Sequence, residues 1–187
     1  MTNKEVTLAQ LSASGRHGDT NELYEYRGYG GWLEHSAFMV QFHKTTNAGD
    51  AEFQVFSDSE LSLLTAHSFG KTGTKNPTAP ASWNGVMVGA TKSDGHVVHG
   101  TASIKLMIDS PNDLNDLYVS FDDIKNFNTN TDAATPAINW PPIRLENGVF
   151  AAADGSIRVN FYGDNLEEVG GIFDKENIIG AFGGVRQ

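Results

Sequence analysis

Apolar and polar residues alternate in short runs through the second half of the chain, and the runs are separated by clusters of Gly, Asn, Asp and Pro. Ala102, Ile104, Leu106 and Ile108 fall on one side of an extended segment, as do Leu117, Val119 and Phe121, and again Ile157, Val159 and Phe161. This two-residue period marks strands with one buried face. Ser82–Ala90 and Val97–Asp109 flank the turn-prone Lys92-Ser93-Asp94-Gly95, which predicts a hairpin. Gly148–Ala152 and Ser156–Gly163 meet across Asp154-Gly155, and Val169–Phe173 and Ile178–Gly183 across residues 174–177. Asp164–Glu168 has capping-box spacing and predicts one helical turn. Roughly eight such strands with no long helix favour closure over open edges. The fold expected is all-β: an eight-stranded antiparallel up-and-down barrel over residues 81–187.

Residues 1–80 read differently, as an N-terminal irregular β accessory region, a handle or clamp on the barrel. Leu23–Gly31 is aromatic and Gly-rich, Ala37–Phe42 and Phe53–Phe56 read as strands, and Ser57-Asp58-Ser59-Glu60 could cap a short helix ending near Ala66. Gly70–Ala81 is the best internal boundary, and Asn126–Pro142 is a second long polar loop.

The length of 187 residues suffices for a real core, and 13 basic against 23 acidic side chains leave a net charge of −10. That charge repels nucleic-acid phosphates and anionic lipid, so neither nucleic acid nor direct membrane insertion is expected. With no Cys, thiol catalysis, Cys-ligated zinc and iron–sulfur clusters drop out. The first residues lack the apolar run of a signal peptide, so the chain reads as cytosolic or already trimmed. Enzymatic motifs are missing as well: no G-x-S-x-G elbow, no H-E-x-x-H and no phosphate loop. Adjacent carboxylates such as Asp122–Asp123 and Glu167–Glu168 diverge in extended chain and make no acid–base dyad. The cluster Asp164, Glu167, Glu168, Asp174 and Glu176 reads as a solvated rim. A non-enzymatic protein is the expectation.

Four of the six histidines, His17, His35, His43 and His67, lie in the first eighty residues. The pair His96 and His99 points to opposite faces of a strand, and His35 and His43 would sit about 26 Å apart along one, so neither pair suits a shared ion. A single His among aromatics suits the axial position of haem. Tyr24, Tyr26, Tyr29, Trp32 and His35 fall within twelve positions. On this reading His35 is the ligand, His43, His67 or Tyr26 a second one, and Trp32 and Tyr29 the walls. The plainer reading has the aromatics sealing one end of the barrel and His35 hydrogen-bonding a neighbour.

Two segments carry a likeness to a known family: Ala81-Ser82-Trp83-Asn84-Gly85-Val86-Met87-Val88-Gly89 with Gly100-Thr101-Ala102, and Phe161-Tyr162-Gly163 with Glu167-Glu168-Val169-Gly170-Gly171-Ile172-Phe173 running into Gly180-Ala181-Phe182-Gly183-Gly184-Val185-Arg186. They resemble the C-terminal barrel of the transferrin-binding protein B-like superfamily of Gram-negative bacteria. Gly30-Gly31-Trp32 with His35-Ser36 is similar to the accessory region of its small solute-binding members. The resemblance implies a barrel with a handle, export to the cell surface or medium, and capture of a nutrient, such as the haem taken by the haemophilins. The lipobox Cys of the surface lipoproteins is missing and the chain is short for a two-lobed transferrin receptor, which points to a secreted or trimmed, single-lobed form. The function expected is therefore an exported binding protein for haem or another iron source. The alternative is an interaction module that engages a host or outer-membrane receptor protein through loops such as Gly70–Ala81 and Asn126–Pro142. A third reading, a lipocalin-like carrier, needs a hollow barrel.

Overall fold

The computed structural model describes residues 6–16, 23–46, 62–73, 78–108, 116–146 and 149–187, and every regular element among them is a β-strand. The first four strands, β1 (Ala9–Arg16), β2 (Leu23–Trp32), β3 (Ser36–Thr46) and β4 (Ser62–Gly70), pair in chain order as an antiparallel meander. The accessory region is thus a regular sheet where irregular structure was expected. Ala66, placed near the end of a helix by the sequence, lies in β4. His17, the Phe53–Phe56 strand and the cap at Ser57–Glu60 lie outside the described residues.

A second sheet follows, built from β5 (Ala81–Thr91), β6 (Val97–Met107), β7 (Asp116–Asn126), β8 (Ile138–Asn139), β9 (Ile143–Glu146), β10 (Val149–Ala151), β11 (Ile157–Tyr162), β12 (Glu168–Lys175) and β13 (Ile178–Arg186). The three expected hairpins, β5–β6, β10–β11 and β12–β13, all form. Pairing is long from β7 through β6, β5, β13 and β12 to β11. On the other side, β11–β10, β10–β9 and β9–β7 share two register pairs each. The regular closed eight-stranded barrel expected from the strand count is therefore not formed. The sheet is a strongly curled half-barrel whose remaining side is bridged only by short strands. Pro141-Pro142 separates β8 from β9, and proline has no N–H to give a ladder.

The inside of the curl is packed with side chains. Phe121 lies 4.8 Å from Phe173 and 5.2 Å from Phe182 and Trp140, ring centre to ring centre. Trp83 is fully buried and its indole N–H donates to the Leu166 carbonyl at 2.9 Å. A hollow, lipocalin-like lumen does not fit this filling. The expected helical turn at Asp164–Glu168 is instead a non-helical loop: Gly163 and Leu166 take positive φ of 81° and 60°, and Leu166 tucks into the core. The polar loop Asn126–Pro142 also folds back, with Ile138 and Trp140 buried.

A second core lies between the sheets, where Tyr29, Phe38, Val40 and Phe42 meet Val88, Ala90, Val97 and Ala181. Gly183 makes room for it, because a Cβ at that position would overlap the Phe38 ring. Gly183→Val should accordingly lower the unfolding free energy by about 1–3 kcal/mol through overpacking. Chemical denaturation measures this, and undiminished stability would show that Phe38 does not fix the spacing of the sheets.

Candidate functional site

The cross-strand registers lay out the outer face of the four-stranded sheet row by row. Trp32, Ala37 and Phe69 form one row; Ala9, Gly30, Met39 and His67 the next; Leu11, Gly28, Gln41 and Thr65 a third; Ala13, Tyr26 and His43 a fourth. In a sheet with one face on the core, the other face is ordinarily polar. Here Leu11, Tyr26, Trp32 and Phe69 are 50%, 43%, 52% and 54% exposed, four of the seven most exposed large apolar side chains among the described residues. Gly28 and Gly30 keep the middle of the face low, with the Met39 methyl and Leu11 bordering Gly28.

Two histidines stand on this face. His67 is exposed beside Met39, and His43 stacks on Tyr26 with ring centres 6.1 Å apart. Tyr24 extends the aromatic row at 5.5 Å from Tyr26. Among the described residues His43 Nδ1 is buried and has no hydrogen-bond partner, which is costly for a polar atom. His43 and His67 lie on neighbouring strands, four residues out of register, about 13 Å along the strand direction.

Of the six residues singled out in the sequence, Tyr26, Trp32, His43 and His67 share this face, and two do not. Tyr29 cannot be a wall of an open site: it is 1% exposed and packs edge-on against Phe42 and Phe127 in the core between the sheets. His35 lies off the strand faces, in the turn between β2 and β3, where the sheets are joined. Its backbone N–H and that of Glu34 donate to the Glu168 carboxylate at 3.1 and 2.8 Å, and the Ser36 hydroxyl donates to the same group at 2.7 Å. The His35 carbonyl accepts from the Lys71 N–H at 3.0 Å, and its ring borders Gly163. These bonds fix the backbone of the turn, while among the described residues the His35 ring is placed only by its contact with Gly163.

Glu168 was grouped with a solvated rim, yet it is 3% exposed, while its neighbour Glu167 turns outward. The Asn165 side-chain amide and backbone N–H donate to Glu167 at 2.9 Å each and hold its carboxyl below the usual carboxylate range. Among the histidines outside this region, His96 is exposed near Asp94 and His99 packs edge-on against Phe127. The residues the sequence reading missed are Leu11, Met39 and Phe69. Phe69 and His67 alternate with Ser68 and Ala66, a two-residue period that pointed to this face. No protein-family model matches the chain, and none of the curated proteins matches it.

Glu168→Gln replaces one acceptor oxygen of the joint by an amide donor that faces other donors. It should cost about 1.5–3 kcal/mol. Amide hydrogen exchange at Glu34 and His35 should accelerate at the same time. Unchanged protection of those two amides would show that the carboxylate does not hold the turn.

Proposed function

We propose that this is a non-enzymatic binding protein that captures haem, or another flat iron-bearing nutrient, on the outer face of the β1–β4 sheet. The observation that carries the reading is the grouping of Leu11, Tyr26, Trp32 and Phe69, all exposed, on one strand face together with His67 and His43. Porphyrin needs an apolar, aromatic surface and its iron accepts imidazole nitrogen. His67, exposed one row from Trp32 and Phe69, is the residue placed to supply that nitrogen, and Met39 and the low Gly28–Gly30 floor leave room for a planar ring. On this reading the role given to His35 in the sequence passes to His67, because His67 stands on the exposed apolar face and His35 lies in the turn beside it.

Membership of the transferrin-binding protein B-like superfamily belongs to the same proposal, as do a barrel ancestry for the curled sheet, export, and action in the medium or at the cell surface of a Gram-negative bacterium. What supports them is the motif resemblance together with a curled antiparallel sheet carrying a smaller β unit on its flank. The alternative, engagement of a host or outer-membrane receptor protein, is favoured by one further observation. Among the described residues β1 is an edge strand paired to β2 alone, beside the same apolar face, an arrangement open to strand addition.

Titration of the protein with haemin, followed by the Soret band, tests the reading. Saturable one-to-one binding is expected, weakened about tenfold or more by His67→Ala and by Trp32→Ala, a loss of roughly 1.4 kcal/mol or more. His35→Ala should bind as the parent does. Binding that survives both face substitutions, or no saturable binding at all, would overturn the haem reading and leave the receptor-protein alternative.

A further inference from the structure

A second feature lies away from the aromatic face. Beside β4, a groove of about 850 Å³ runs over the outer surface of the curled sheet, bordered by Ala66 and, across from it, Ala151, Ile172 and Ile179. That volume is in the range of small-molecule sites, about 300–1,000 Å³. Ile172 is 39% exposed, so apolar surface here is open to a ligand.

One cation stands in this apolar setting. Arg158 on β11 is flanked across the strands by Ala151 and Ile172. Among the described residues its guanidinium has neither an ion pair nor a hydrogen bond. In a chain with 23 acidic and 13 basic residues, an arginine without a carboxylate runs against composition. The other charged group lining the groove, Asp174, is engaged by Lys92, so its repulsion of an incoming anion is offset. An arginine fork matches a carboxylate with two parallel hydrogen bonds.

We propose that this groove binds a single-chain amphiphile with one anionic head, a free alkyl carboxylate, its tail along Ile172, Ile179 and Ala66 and its carboxylate on Arg158. A membrane surface is the poorer match, because recognition of anionic lipid uses clusters of basic residues and this chain carries a net charge of −10. The site is separate from the histidine-bearing face, and neither proposal depends on the other.

The test is a nitrogen-15 NMR titration of the full chain with dodecanoate below its micelle concentration, with dodecanol and with phosphatidylglycerol vesicles in parallel. Dodecanoate should shift resonances of β4, β11, β12 and β13 in a saturable way. Arg158→Gln should weaken dodecanoate about tenfold or more while leaving the weaker binding of dodecanol unchanged, which also reports that the variant is folded. Ile172→Asn should weaken both. Equal dodecanoate affinity in Arg158→Gln, shifts confined to the β1–β2 face, or Arg158-dependent binding to vesicles in preference to dodecanoate would overturn the proposal.

Discussion

Strands β12 and β13 are buried on both sides over Glu168–Gly171 and Gly180–Gly184, and that constraint shapes the rest of the molecule. Their inward residues Val169, Phe173, Ile178 and Phe182 fill the curl, while Ala181 faces the second core and Gly183 receives the Phe38 ring. Packed sheets sit about 10 Å apart, so large side chains on one partner demand small ones on the other. Tyr29, Phe38 and Phe42 supply the bulk from the four-stranded sheet, and the wall answers with the smaller Val88, Ala90, Val97, Ala181 and Gly183. Glycine in a strand ordinarily weakens it; here its lack of a side chain is what lets the sheets approach. Glu168, at the start of β12, adds the polar part of the join: a buried carboxyl group that accepts from two backbone N–H groups and one hydroxyl, so its oxygens keep hydrogen-bond partners where water is excluded.

This double burial decided what could be read in advance. The hairpins β5–β6, β10–β11 and β12–β13 were legible because alternation and turn residues agreed. The thin side of the curl was not, since a strand count says nothing about how many pairs each neighbour makes, although Pro141-Pro142 marked the interruption. β1 escaped notice because its run Ala9-Gln10-Leu11-Ser12-Ala13-Ser14 has one large apolar residue and no buried face to pattern it.

The candidate site was legible in its residue types and only partly in its geometry. Closeness in sequence grouped Tyr26, Tyr29, Trp32 and His35, but a strand sends even and odd positions to opposite faces. Tyr26 and Trp32 stayed together outside, and Tyr29 went to the core. The same parity separates Glu167 from Glu168. His43 and His67, distant in sequence, came onto the aromatic face through the β3–β4 pairing, information no single strand contains.

An aromatic face left open on a sheet is costly in water, roughly 25 cal/mol for each Å² of apolar surface it fails to bury. Folding of the four-stranded sheet already has its core on the other side, in Tyr29, Phe38, Val40 and Phe42, so the outer residues are not needed to close it. Polar side chains at Leu11, Trp32 and Phe69 would keep the same registers and shield the same backbone. The arrangement also leaves a buried imidazole nitrogen at His43 without a partner among the described residues, a second cost on the same face. These two features, neither required by packing among the described residues, are the physical ground of the binding proposal, in which a ligand would recover the apolar area left exposed there.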